Sequence, residues 1–407
     1  MYLLPFPPVM GRCHAPYIAR SDLEAPRPAG PHISPLTLNT HEDGTMRRLA
    51  GARHGLAVLT ALAVLGLGCA RPTDPGTTPE PEGPPIDTPK NAWSWIDFPN
   101  STCDEGTPTG LGVNLTDSKN LVIFFNGGGA CWDVNTCLRL NVSTHGPITQ
   151  TQFDQIIARL PPGSLFDRTV AANPFKDWNH FFIPYCTGDL HIGDTDATYT
   201  DNGTAFTFRH RGRANAVAFL ARIASTVPSP EQVLVTGSSA GGYGAALNYA
   251  LVRSYFPNAR VSLVDDSGPL FKNDAMNPAL RAAWASAWKY DAVLNDIDPA
   301  VKNDFSAVHT ALSRKFPNDR MALLSSLQDT TIRTYLQMSP TAFEAALRDL
   351  NTTVIAPLPH TRSFLTSGSG HTMLLNPGAQ RTGGVTLLTW LNQMQSASDA
   401  DWKSLQP

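Results

Sequence analysis

The stretch Gln232–Gly242, QVLVTGSSAGG, decides how the rest of the chain is read. Its first five residues form a short β-branched and apolar run of the kind that makes a buried strand, and apolar positions recur at helical spacing from Gly241 to Tyr255. Between the two, Gly237-Ser238-Ser239-Ala240-Gly241 satisfies G-x-S-x-G in the strand–turn–helix context that the pattern requires. So sharp a turn holds its serine at strained dihedrals, and the flanking Gly237 and Gly241 prevent clashes around it. Ser239 is therefore expected to stand above the sheet as a nucleophile. The backbone N–H of Ala240 and the positive end of the following helix would lie beside any oxyanion formed there. A phosphate-binding loop of the Walker type would need a lysine after the second glycine, and Tyr243 stands there instead.

Further strands are expected at Leu121–Asn126, His180–Pro184, Arg260–Val264, Met321–Ser325 and Thr361–Leu365, and helices at Arg211–Ala224, Pro340–Leu350 and Val385–Gln395. Strands alternating with helices predict an α/β fold of the α/β-hydrolase type, with a mostly parallel central sheet flanked by helices on both faces. In such sheets chemistry gathers at the carboxyl ends of the strands. Asn126-Gly127-Gly128-Gly129-Ala130 follows one of those ends, and Gly128 and Gly129 are expected to turn their N–H groups inward as further oxyanion donors. The base expected for Ser239 is His371, in a small-residue loop beyond the strand Thr361–Leu365. His145, His180, His191 and His210 precede the nucleophile, and His309 and His360 fall before or at strand starts, so these are read as surface or structural. Two strand ends offer an orienting acid, Asp266 and Asp329, and spacing alone does not choose between them. Asp329 follows the strand immediately before the histidine strand and is preferred; Asp266 is read as shaping the floor of a substrate pocket.

Outside this core the sequence divides by composition. Residues 1–45 are proline-rich without period and read as an upstream extension. From Met46, Arg47, Arg48 and Arg53 precede the short apolar run Leu56–Leu67, an export signal too short to span a membrane. Its end, Leu65-Gly66-Leu67-Gly68-Cys69, resembles a lipobox, with Gly66 where leucine is usual, so Cys69 is the expected lipidation site and free secretion the alternative. Residues 70–91 read as a proline-rich tether, 92–397 as the catalytic domain and 398–407 as a tail. Apart from Cys13 and Cys69, four cysteines remain, and of their three possible pairings Cys131–Cys137 with Cys103–Cys186 is preferred. A zinc site would want spacings that these four lack. A net charge of −3 without a basic stripe argues against nucleic acid as a partner. With 42% hydrophobic and 16% charged residues, the 407-residue chain can build a sizeable core.

Taken together, GGGACW before a second cysteine, YCTGDLHIGD at 185–194, RGRAN at 211–215, GSSAGG at 237–242, DDSG at 265–268, Gln328-Asp329 and His371 resemble the pectin acetylesterase and Notum family, as a bacterial member. The resemblance covers about residues 91–395. It implies an α/β-hydrolase fold, a Ser-Asp-His triad with Asp329 as acid, both disulfides as paired above, and no metal. The expected activity is hydrolysis of carboxylic esters, removing acetyl or other acyl groups from a polysaccharide or another extracellular ester, by an exported monomer with no cofactor. A membrane is expected to be met only through the N-terminal lipid. The arrangement Gly129-Ala130-Cys131-Trp132 replaces the glycine-tryptophan-cysteine order of plant and animal members, which leaves acyl preference open at Trp132. Asp189 and Asp194 are expected to line the cleft and to disfavour anionic substrates, pectin among them, by like-charge repulsion. Trp284, Trp288 and Tyr290, within an expected insertion at 271–316, suit a pocket wall and core packing equally. The alternatives are a serine peptidase and a surface glycan-binding lipoprotein without turnover.

Overall fold

The computed structural model describes residues 80–398 and 400–407. The expected export signal, lipidation at Cys69, and the upstream extension lie outside the described residues, as do residues 70–79 of the expected tether. Of twelve strands among the described residues, the first ten in chain order are β1 (Ser94–Phe98), β2 (Thr109–Asn114), β3 (Leu121–Phe125), β4 (Asn179–Ile183), β5 (Thr195–Asp201), β6 (Thr204–His210), β7 (Gln232–Ser238), β8 (Arg260–Asp266), β9 (Arg320–Ser326) and β10 (Thr361–Thr366). Eight of them form one sheet in the order β1-β2-β4-β3-β7-β8-β9-β10. Pairing is antiparallel from β1 to β4 and parallel from β4 to β10. β5 and β6 make a separate hairpin.

The parallel strands are apolar on both sides because both faces are covered. In β3, Leu121, Ile123 and Phe125 point into one core layer and Val122 and Phe124 into the other. Helices α1 (Gln150–Ala158) through α10 (Leu387–Gln395) divide between these layers. The larger layer holds α2 (Gly212–Thr226), α3 (Ala240–Leu247), α4 (Tyr249–Tyr255), α5 (Pro278–Trp288), α6 (Asp291–Ile297), α7 (Ala307–Lys315), α8 (Thr330–Tyr335) and α9 (Pro340–Leu350), while Phe153 of α1 and Trp390 of α10 anchor the opposite one. Among the described residues no helix is long and apolar enough to cross a membrane. After β3 the chain crosses to β4 on one side, and after β7 it passes to β8 on the other. The crevice between the carboxyl ends of β3 and β7 is thus the place where a sheet of this kind opens a binding site.

Several expected boundaries move. The helix expected from Gly241 to Tyr255 breaks at Asn248, whose amide donates to the carbonyls of His191 and Gly244 while Arg213 donates to its oxygen. The expected tether is packed along its second half, since Arg222 holds the carbonyls of Glu82 and Pro84 and Ile86 is buried. The expected tail is also part of the packed unit. Leu405 bonds to both Ser363 and Leu365 beside β10, and Trp402 is fully buried against Trp390. The segment 271–316 is built into the main core, where Trp284 stacks on Trp288, so core packing is the reading its aromatics meet.

Four histidines are buried among the described residues, His180, His191, His210 and His309. Burial pushes His180 down to about 3 and His191 and His309 down to about 4. His309 Nε2 has no hydrogen-bond partner among the described residues. Because the folded chain refuses a proton that the unfolded chain accepts, the stability His309 contributes is intact above pH 6.5 and is lost as pH falls toward 4. Denaturant unfolding at pH 7 and pH 4.5 should show His309→Leu losing less stability on acidification than the parent, by about 1.4 kcal/mol per pH unit at most. Equal losses would contradict a neutral, buried His309.

Candidate active site

Ser239 sits between β7 and α3 at φ 63° and ψ −124°, outside the conformations that a serine adopts freely. Its strain is held by bonds on either side. The Ser239 amide donates to the Asp266 carbonyl at 2.7 Å, and the Ser239 carbonyl accepts from the Gly242 amide at 2.9 Å. A side chain at Gly237 or Gly241 would collide with the Phe125 carbonyl at the end of β3, and one at Gly127 with the Ser238 carbonyl. These glycines are there because three backbones cross within contact distance.

The glycine loop leaves β3 beside this turn. Gly129 has φ 77° and pairs with Ser143, while Thr144 donates to the Gly128 carbonyl at 2.6 Å. Tyr335 braces the loop from α8: its hydroxyl donates to the Val142 carbonyl and lies where a Cβ on Gly129 would be. The amides of Gly128, Gly129 and Ala240, the three expected oxyanion donors, have no hydrogen-bond acceptor among the described residues. Behind the loop, Cys131 is bonded to Cys137, its amide donates to the Gly188 carbonyl, and its carbonyl accepts from Trp288 Nε1 at 2.8 Å. Cys103 pairs with Cys186. His210 approaches the Cys131 and Cys137 sulfurs, but those sulfurs are joined to each other and both nitrogens of His210 are taken, by Thr187 and Tyr199.

His371 and Asp329 come together across the carboxyl ends of β9 and β10. His371 Nδ1 lies 2.8 Å from Asp329 Oδ2, and the other oxygen of this fully buried carboxylate caps α8 by accepting the Ile332 amide. His371 and Ser239 are both partly exposed, and the hydroxyl of Ser239 forms no hydrogen bond with His371 in this structure. The two loops are linked through Asp266, the rival acid, whose carboxylate oxygens are taken up by other donors. It accepts from Ser238 Oγ at 2.8 Å and from the amides of Met373 and Leu374 at 2.9 to 3.0 Å. Burial pushes Asp266 upward, and those amides, the Ser238 hydroxyl and the charge of His371 pull it back. Its neighbour Asp265 receives a single bond, from the Gly268 amide, and burial holds it well above the ordinary carboxylate range.

The remaining pocket expectations divide. Trp132 is half-buried, 5.9 Å from Trp284 between ring centroids, at the inner end of the glycine loop. Asp189 does not face a cleft. It is fully buried and accepts from Thr187 Oγ1, the His191 amide and the Gly212 amide that opens α2. Asp194 is exposed and paired with Arg211 at 3.0 Å. With one carboxylate spent on a helix start and the other neutralised, the like-charge argument against anionic substrates loses its basis. Sequence reasoning missed Ser238, which bonds Asp266 from the variable position of G-x-S-x-G, and Thr144 and Tyr335, which brace the glycine loop from positions that carry no local motif.

The Pectinacetylesterase family matches residues 96–321, more than half of the 407-residue chain; the match includes the glycine loop and Ser239 and stops before Asp329 and His371. Palmitoleoyl-protein carboxylesterase NOTUM of Drosophila melanogaster is 28% identical over 201 residues, covering 46% of this chain and 29% of that protein. Pectin acetylesterase 5 of Arabidopsis thaliana is 27% identical over 191 residues, covering 44% of this chain and 42% of that protein. The chain therefore spans less than half the length of these curated relatives. The solved structure of the Wnt deacylase Notum from Drosophila has a TM-score of 0.55 and 19% identity over 77% of this chain and 94% of that one, a likeness of fold.

The two disulfides should separate stability from local order. Cys103 and Cys186 are 83 residues apart, and loop closure gives their bond about 4 to 5 kcal/mol; the 6-residue Cys131–Cys137 loop is worth about 2. Denaturant melts should rank the paired serine variants in that order. Turnover per folded molecule should rank them in reverse, since Cys131 carries the glycine loop. A short-loop variant with full turnover would mean that the bond does not hold the loop.

Proposed function

The chain belongs to the pectinacetylesterase family, and on that premise we propose that it is an exported serine hydrolase that cleaves carboxylic esters, removing acetyl or other acyl groups from a polysaccharide or another extracellular ester. The observation that carries this reading is the convergence at adjoining strand ends of a strained Ser239, a buried Asp329–His371 pair, and three amides without acceptors. Two disulfides support export, because such bonds persist in oxidising compartments. The names of the relatives, a carboxylesterase and a pectin acetylesterase, favour esters over the peptidase alternative.

In this reading Asp329 fixes the imidazole of His371 with Nδ1–H toward the carboxylate, which leaves Nε2 as the basic nitrogen. Ser239 Oγ attacks the ester carbonyl as His371 Nε2 takes its proton. The carbonyl oxygen becomes an oxyanion and receives the amides of Gly128, Gly129 and Ala240, already fixed and therefore needing no reorganisation. The tetrahedral intermediate collapses, the alcohol leaves with the proton from His371, and an acyl-Ser239 remains. Water, deprotonated by the same nitrogen, attacks the acyl group and restores the serine. Removing one such oxyanion donor typically costs about 100- to 1000-fold in rate.

Hydrolysis of p-nitrophenyl acetate, butyrate and octanoate at neutral pH tests the reading. The wild-type chain should turn over at least one ester, Ser239→Ala and His371→Ala should fall to background, and the series should rank acyl length. Equal background rates for wild type and Ser239→Ala would overturn the esterase reading in favour of a glycan-binding module.

A further inference from the structure

Three non-glycine residues with left-handed backbone, Ser239 at φ 63°, Ser267 at φ 66° and Thr372 at φ 61°, gather around the side chain of Asp266. Each such position costs about 1 to 3 kcal/mol and persists only where its surroundings over-determine it. Asp266 contributes to that over-determination at all three positions. Asp266 Oδ2 accepts from Ser238 Oγ, Met373 N and Leu374 N, and Oδ1 accepts from Ser267 Oγ and again from Met373 N. Its main-chain carbonyl takes the amide of Ser239 itself. The donors come from the residue before the nucleophile and from the two residues that follow Thr372, the neighbour of His371. No other carboxylate among the described residues joins these two loops.

We propose that Asp266 is the positioning residue of this site: its fully buried carboxylate clamps the turn that presents Ser239 to the loop that presents His371, and so sets the gap across which the serine proton passes. The inference rests on the esterase reading for its kinetic consequence but not for its structural one. A carboxylate suits the task because all its lone pairs accept, and here every donor aimed at it is an N–H or O–H. In Asp266→Asn the shape is retained, but the NH2 group that replaces one oxygen faces the Met373 N–H, which approaches both oxygens, so that contact turns repulsive and the loop of His371 must shift.

The kinetic test is turnover of p-nitrophenyl acetate by the full chain. Asp266→Asn should lose about 100-fold in kcat with KM within about twofold, since a displacement of about 1 Å between reacting groups can cost that much. Ser238→Ala, which removes one donor and keeps both amide clamps, should lose about 3- to 10-fold in kcat, again at constant KM, and it decides the matter if Asp266→Asn does not fold. The second readout is the downfield NMR resonance of the His371 Nδ1 proton, which needs no turnover. It should broaden or shift in Asp266→Asn and in Ser238→Ala. Folded variants that keep wild-type kcat and an unchanged resonance would overturn the positioning role. A wild-type chain inactive on every ester, whose resonance still moves in the variants, would instead overturn the esterase reading and leave the clamp standing.

Discussion

The close crossing of α3 over the ends of β3 and β7 is the constraint on which the site depends. Gly127, Gly237 and Gly241 meet there with carbonyl oxygens of Phe125, Ser238 and Gly241 in the space that a Cβ would need. Nothing larger than hydrogen fits, so the amides of the glycine loop and of the first helical turn are brought to one place without side chains between them. The same crowding forces Ser239 into its strained conformation. A few kcal/mol of backbone strain is a considerable fraction of the 5 to 15 kcal/mol by which a domain is typically stable. It is tolerable because the sheet beneath is almost wholly buried from β4 to β10, and because hydrogen bonds to Asp266 and Gly242 fix both ends of the turn.

How much of this could be read in the sequence follows from which forces are local. The parallel strands were legible because burial on both faces writes a continuous apolar run, as in Leu121–Phe125. The antiparallel β1 and β2 were not. Gly110 and Gly112 of β2 leave room that the rings of Trp95 and Phe153 occupy, so the alternation expected of a strand is missing from its own residues. The β5–β6 hairpin did carry a signal, Asn202-Gly203 at its turn with both residues at positive φ, between alternating residues. The break at Asn248 left no trace, because its cause is a carbonyl 57 residues away.

At the site, Ser239, the glycine loop and the Asp329–His371 pair were legible from motif and chain order. The acidic run Asp189–Asp194 was misread because a sequence gives a charge without its direction. Asp189 reaches inward to start a helix that begins 23 residues later, and only the folded chain shows which donors meet it. The braces Thr144 and Tyr335 were invisible for the same reason: each acts on the glycine loop from a separate element, and neither sits in a pattern that its own neighbours define.

In the esterase reading, spacing leaves open the choice of acid between Asp266 and Asp329, and hydrogen-bond accounting favours Asp329. Both carboxylates are fully buried at the carboxyl ends of neighbouring strands. An orienting acid must keep one oxygen for the imidazole, because a carboxylate surrounded by other donors has no lone pair aimed at a histidine. Asp329 meets that condition, with Oδ1 on the Ile332 amide and Oδ2 on His371. Asp266 does not, since both of its oxygens are claimed by hydroxyls and amides. Asp265 fails in the opposite way: with one donor and an Oδ2 that has no partner among the described residues, its charge is poorly compensated, and burial pushes it well above the ordinary carboxylate range. Three aspartates within the same end of the sheet thus differ by what surrounds them. Only the one with a single oxygen committed elsewhere is placed to orient a base.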